Sequence, residues 1–319
     1  MFNRRTLAAA LLALAAAPVL AQDFPSKPIT LVAPFPAGSV TDSVTRAVGK
    51  ALQDALGQPV VVENKAGAQG TLGAAYVARA KPDGYTLLMA SSVMFVAKSL
   101  YKTLPYEPVE SFQPVANVGS TAMLFMVGEN SPIHSVADLA KAAAQAQPPL
   151  TVGFGSPSGQ VALALFSTVS KTAPVGVSYR GIPQALTDLG GGHVNVAIVD
   201  IGSGVAQMGA SRMRPIAISA AARSSSVPDV PTLQESYPGA GGALETIISV
   251  MAPAGTPQPV VDKLDAAIRA AMGKPEVKAA FASLHTTVMP LNSKELAQRI
   301  RNDNPRWEAL LKKAGIEPQ

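Results

Sequence analysis

From Lys27 onward the chain repeats one unit, an apolar strand, a glycine- or proline-bearing turn and an amphipathic helix, and this alternation constrains the fold more than any other feature. Strands linked through helices run parallel, so the pattern predicts an α/β architecture with mainly parallel sheets flanked by helices. The first unit is explicit. Residues 29–35 form an apolar strand, Pro36-Ala37-Gly38-Ser39 a turn, and residues 41–56 a helix with Val44, Val48, Leu52 and Leu56 on one face before Gly57 stops it. Strands at 59–63 and 85–91, and helices at 71–80 and 92–100, extend the same sheet. A second series comes later in the chain, with strands at 150–155, 175–179, 194–201 and 215–220 and helices at 159–170, 183–189 and 203–208.

At about 100 to 200 residues per domain, 319 residues favour two domains. The apolar stretch 115–127 leads out of the first sheet, and the strand at 247–252 leads back. The C-terminal remainder is helical (257–272, 275–284, 293–314), has no strands for a sheet of its own, and is expected to pack on the first domain. Residues 22–122 plus 247–319 are therefore expected to form one domain and 123–246 the other, joined by two crossing strands that act as a hinge. Such a hinge favours a monomer.

Composition narrows the function. Apolar residues make up 48% and charged residues 15%, which excludes a disordered chain. A net charge of +5 invites a nucleic-acid partner, but there is no run of Lys and Arg and only 5% aromatic residues, so that class is excluded. The absence of cysteine removes disulfides, thiolate chemistry and Cys-based zinc sites. His134, His193 and His285 are widely separated, so no metal set and no cofactor site is expected. Residues 1–21 read as an export signal, with Arg4-Arg5, an apolar stretch from 7 to 20, and small residues near Ala21, giving a mature chain from about Gln22 in a periplasm. A membrane anchor is the other reading, and the stretch is shorter than the ~20 residues that span a bilayer.

The chemistry-bearing candidates sit in the turns. Gly38, Ser39, Thr41 and Asp42 lie where a helix begins directly after a glycine turn, a place whose free backbone N–H groups can receive an anion; the same residues serve equally well as helix caps. A second copy of the device is Gly153-Phe-Gly-Ser-Pro-Ser-Gly-Gln160. It fails as a dinucleotide motif because Ser158 stands at the third glycine, and as a nucleophile elbow because Pro157 takes the serine position. Asn64 and Gln69 could add amide donors in the turn after the second strand, and Tyr179 and Arg180 a ring wall and a guanidinium at a strand end. No residue set reads as catalytic.

The blocks Lys27-Pro-Ile, Val32-Ala-Pro-Phe-Pro-Ala-Gly with Thr41-Asp42, Pro59-Val-Val-Val-Glu-Asn64, Pro82-Asp-Gly-Tyr-Thr-Leu-Leu88, Ser178-Tyr-Arg-Gly and Met251-Ala-Pro-Ala-Gly-Thr-Pro257 resemble the periplasmic solute-binding receptors of tripartite tricarboxylate transporters, the Bug receptors. The resemblance runs along the whole chain after the leader. It implies a two-domain Venus-flytrap fold that closes on a small organic anion and hands it to a membrane permease, without catalysis. It further implies that Gly38, Ser39, Thr41 and Asp42 hold the ligand's carboxylate from one lip and Gly155, Ser156, Ser158, Gly159 and Gln160 from the other, partly through ordered water. Ser91, Ser92, Asp200 and Ser203 rank second. Two positions depart from the family pattern: Gly38-Ser39 stands for two glycines, and Asp200-Ile201 for Asp-Asn. An exported α/β hydrolase and a sensory receptor for the same kind of ligand are the alternative readings.

Overall fold

The computed structural model describes residues 24–208, 213–238 and 243–318; the expected leader, residues 1–21, and the expected start at Gln22 lie outside the described residues. The first unit folds as β1 (Ile29–Ala33) and α1 (Val40–Leu56), then β2 (Val60–Asn64), α2 (Thr71–Ala78) and β3 (Thr86–Ser91). α1 begins where Ser39, in extended backbone, accepts the Asp42 N–H, and ends at Gly57, which is left-handed at φ 66°. Its buried face, Val44, Val48 and Leu52, packs with Ile29 and Leu31 of β1. Residues Ser92–Ser99, expected as an α-helix, wind as 3-10 turns broken at Val96.

β4 (Phe112–Thr121) and β5 (Met123–Gly128) are consecutive with only Ala122 between them, yet they belong to different sheets. The chain then runs through α3 (Val136–Gln145), β6 (Thr151–Phe154), α4 (Pro157–Ser170), β7 (Val175–Ser178), α5 (Ile182–Gly190), β8 (Val196–Asp200), α6 (Ile201–Gln207), β9 (Met213–Ile218) and the short α7 (Leu233–Ser236). β10 (Thr246–Pro253) returns to the first sheet, and α8 (Gln258–Met272), α9 (Pro275–Ser283), β11 (Thr287–Val288) and α10 (Ser293–Lys313) complete the fold.

The first sheet has the order β11-β4-β10-β3-β1-β2 and the second β7-β6-β8-β5-β9. Both are mixed, where the alternation predicts mainly parallel pairing. β1 pairs in parallel with β2 and β3, and β6 with β7 and β8, as strands joined by crossover helices must. β10 and β5 run antiparallel to their neighbours on both sides. Each of these strands arrives from the other sheet, so no local helical crossover dictates its direction.

The helical tail also differs from expectation. β11 adds a short edge to the first sheet. Leu296 and Ile300 in the first half of α10 lie in a core with Val32 and Leu88, whereas Trp307 and Leu311 in its second half lie in the core of Phe125 and Phe166 of the second sheet. A 21-residue helix is about 30 Å long at 1.5 Å per residue, enough to serve both sheets.

Candidate functional site

Around the first lip, three side chains from two elements lock the turn that precedes α1. Asp42, only 3% exposed, accepts the Gly38 N–H at 2.9 Å and the Arg46 Nε–H at 3.1 Å on one oxygen, and the Asn64 amide at 2.8 Å on the other. The same Asn64 amide nitrogen donates to the Phe35 carbonyl at 3.1 Å, and Arg46 donates to the Asn64 Oδ1 at 3.1 Å. Burial pushes the Asp42 carboxyl up, but the bonds from Arg46, Asn64 and the Gly38 N–H outweigh it and hold the group below its ordinary range. Asp42 and Asn64 thus shape the lip, while Gly38 is held at φ 82° with its open side facing nothing within 4 Å. The Ser39 hydroxyl caps α1. Thr41 lies within the first turn, its carbonyl taking the Thr45 hydroxyl at 2.6 Å.

The second lip is built by α4 and α6. Ser156 caps α4 by accepting the Gly159 N–H at 3.2 Å, Pro157 occupies the first turn, and Ser158 is buried. Backbone approach explains the glycines here. A Cβ on Gly155 would lie 2.1 Å from the Gly181 carbonyl carbon, and one on Gly159 would lie 2.8 Å from the Phe154 Cβ. Asp200 caps α6, accepting the Ser203 N–H at 2.8 Å and its hydroxyl at 3.0 Å. Burial pushes the Asp200 carboxyl up, against the opposing bonds from Ser203.

A cleft of about 600 Å³ opens between the first lip and α5 and α6, and Gly155, Ser156, Ser158 and Gly159 at the start of α4 do not line it. Gly38 and Val40 line it from the first sheet's side, Ile182 and Pro183 from α5, and Gly202 and Ser203 from α6. Among the described residues no charged side chain lines it. A ligand there meets backbone groups, short hydroxyls and apolar walls. Val40, Ile182 and Leu284 of this cleft escape sequence reasoning. The first two stand one position beyond recognised turns, whereas Leu284 belongs to the helical tail and carries no local signal.

The other candidates are dispersed. Gln69, in the turn after β2 of the first sheet, donates to the Ser178 hydroxyl at the end of β7 of the second sheet at 2.7 Å, and neither lines this cleft. Ser92 is buried, with its hydroxyl accepting the Ile247 N–H at 3.2 Å, and Ser91 stands opposite Ile248 in the sheet. Gln160 lines a different groove, beside Gly315 and Ile316 near the C-terminus. Tyr179 donates to Asp188 at 2.6 Å; burial, that bond and the Asp188 charge push its phenol up to about 12. Arg180 is exposed, its N–H bonded to the Gln184 side chain.

Residues 44–316 match the family described as "Tripartite tricarboxylate transporter family receptor". Protein BugT of Bordetella pertussis is 32% identical over 308 residues, covering 95% of this chain and 94% of its own. The solved periplasmic binding protein BugD superposes with a TM-score of 0.82 at 31% identity, over 93% of this chain and 100% of its own. MatC of Rhodopseudomonas palustris, solved with bound malate, does so with a TM-score of 0.81 at 30% identity, over 90% of this chain and 100% of its own. These are solute-binding proteins rather than enzymes, and they share the two-domain periplasmic-binding-protein fold. With matches of this extent in both sequence and fold, the chain belongs to the tripartite tricarboxylate transporter receptor family.

Proposed function

We propose that the chain is exported to the periplasm, captures a small organic acid in the cleft between its two lobes, and delivers it to a membrane permease. The lobes are residues 22–122 with 247–319, and residues 123–246, the second half of α10 reaching across to pack on the core of the second lobe. The observation that carries this reading is the cleft of about 600 Å³, which takes one wall from the β1–α1 turn and the other from α5 and α6. Its volume suits a small metabolite at the ~300–1,000 Å³ scale of ligand pockets. With no charged side chain on its walls, the carboxylate meets short hydroxyls there, those of Ser43 and Ser203 among them, while Gly38, Ser39 and Thr41 at one lip and Gly155, Ser156, Ser158 and Gly159 at the other complete its contacts by exchanging the capping bonds they make in the unliganded protein. Oriented N–H groups at the start of α1 and α4 stabilise a negative charge without a countercharge, and Pro157 leaves the α4 turn one donor fewer. Malate bound to MatC, a protein of the same fold and 30% identity, supports a carboxylate ligand. The monomer is the unit that opens and closes, and the closed, filled form is the one a permease reads.

The test is a thermal-shift screen of the purified, ligand-stripped protein against malate, adipate, citrate, amino acids, aromatic acids and nicotinamide-type acids. A ligand at about 100 times its Kd adds roughly 2.7 kcal/mol, which raises the melting temperature by several degrees in a chain of this size. A carboxylic acid giving such a shift is the expected result. A folded protein that responds to none of the acids removes the carboxylate reading.

A further inference from the structure

Gln69 and Ser178 stand 109 positions apart and belong to opposite sheets, yet the Gln69 Nε2 donates to the Ser178 Oγ at 2.7 Å. Gln69 lies in the turn after β2 and Ser178 ends β7, and these two strands are edges of their sheets. The strands that carry the crossings are β4 and β10 in the first sheet and β5 and β9 in the second. β2 lies three strands from β10, and β7 three strands from β5. That separation is about 14 Å on each side at ~4.8 Å per strand. Rotation about the crossings therefore moves the Gln69–Ser178 contact through a wide arc, and opening the lobes breaks it.

The turn that carries Gln69 is built to hold it there. Four successive residues have positive φ: Gly67 at 143°, Ala68 at 43°, Gln69 at 51° and Gly70 at 96°. Two of them are not glycine, so the turn is strained and persists because its surroundings fix it. The Gly70 N–H donates to the Gly67 carbonyl and the Thr71 hydroxyl to the Ala68 carbonyl, both at 2.9 Å. Behind the turn, Gly73 packs so closely that an added Cβ would lie 2.9 Å from the Pro34 Cβ and 3.0 Å from the Lys65 carbonyl oxygen. The Gln69 Oε1 is buried without a partner, so among the described residues the side chain is held by Ser178 alone.

We propose that Gln69 and Ser178 form a latch between the two lobes, made when the lobes close and broken when they part. Both are positioning residues. They set how long a bound acid is retained, whichever acid it is, and they hold part of the unliganded protein closed. The consequence for retention rests on the receptor reading; the latch itself is a property of the protein without ligand.

The chain has no cysteine, so spin labels can be placed cleanly at A55C on the first lobe and A173C on the second, both positions accessible to solvent. Distance distributions are measured on unliganded protein. The labelled parent shows a short-distance population. Gln69→Ala and Ser178→Ala each lower its closed-to-open ratio by about two- to twelvefold, the worth of one hydrogen bond, and the double variant falls no further. Ser178→Thr, which keeps the hydroxyl, stays near the parent. Ser178 is exposed at a strand end, so its variants test the pair even where Gln69→Ala fails to fold. Three results would each overturn the latch: a parent without a short-distance population, single variants indistinguishable from the parent, or a double variant that loses the product of the two effects. Since no acid is added, a screen that finds no ligand leaves this readout intact, and the two failures are told apart.

Discussion

Ser219 staples the two crossing segments together: its hydroxyl accepts the Met123 N–H at 2.9 Å and donates to the Leu244 carbonyl at 2.8 Å. Its backbone repeats the connection, the Ser219 N–H donating to the Met123 carbonyl and the Ser219 carbonyl accepting the Leu244 N–H. At 1% exposure no bulk water can replace the hydroxyl. Ser219→Ala leaves a donor on one segment and an acceptor on the other unpaired. Each buried group left unmade costs about 1–3 kcal/mol, so a loss of roughly 2–6 kcal/mol is expected in urea unfolding. A loss below about 0.5 kcal/mol, the scale of an ordinary surface substitution, would show that the segments hold together without this hydroxyl.

Asp42 makes stability depend on acid. Its folded carboxyl titrates below the ordinary 3.8, because the bonds from Arg46, Asn64 and the Gly38 N–H outweigh burial. A carboxyl whose pKa is lower in the folded state adds stability that is present above its unfolded value and is lost as pH falls through its folded value. Asp42→Asn keeps the shape but puts a donor among donors, and costs about 1–3 kcal/mol at neutral pH. Guanidinium melts of both proteins along a falling pH series should converge below the ordinary carboxylate range. A gap that stays constant down to acid unfolding would show that the Asp42 charge is not what binds the lip together.

How far these features are legible in sequence differs from one to the next. The unit of β1, turn and α1 is legible because helix periodicity, the Ser39 cap and the Gly57 stop all point the same way. The antiparallel course of β5 and β10 is not, since a continuous apolar run such as Ile247 to Met251 carries no information on strand direction. Asp42, Asn64 and Gln69 can be singled out as polar residues in turns, but whether an amide faces a ligand, its own lobe or the opposite lobe depends on atoms many positions away. Trp307 reads as core from its spacing to Leu311. Which core it enters is set only by α10 spanning both sheets.

Gly155 separates two requirements that a glycine can meet. A Cβ there would collide with backbone, 2.1 Å from the Gly181 carbonyl carbon and 2.2 Å from the Ile182 nitrogen, and backbone cannot swing aside as a side-chain tip can. Gly155→Ala is expected to cost about 3 kcal/mol or more, the upper range for overpacking. Gly128 at the end of β5 has nothing within 4 Å and no positive φ, so Gly128→Ala stays within about 0.5 kcal/mol of the parent. The comparison is made by urea midpoint, with the two variants side by side. Equal losses would mean that the approach of the Gly181 and Ile182 backbone does not set the cost at Gly155, since the entropy change of a glycine-to-alanine replacement favours the folded state at both positions.

Gly202 is where α6 of one lobe bears on the other. An added Cβ would lie 2.9 Å from the Leu284 carbonyl oxygen and 3.0 Å from the Val40 Cγ2, both from the first sheet's side of the cleft. Within α6 itself alanine is the better helix former by about 1 kcal/mol, so Gly202→Ala should melt no lower than the parent if the lobes are free to part. Full closure then meets the Leu284 carbonyl. At an overpacking cost of about 1–3 kcal/mol, affinity falls roughly five- to 150-fold for the acid that gives the largest shift in the screen. Calorimetric titration beside a melting curve separates the cases. Weaker binding at an unchanged melting temperature marks Gly202 as a bearing surface that works only on closure, whereas a lower melting temperature with unchanged affinity would mean that the contact is permanent and belongs to the folded core.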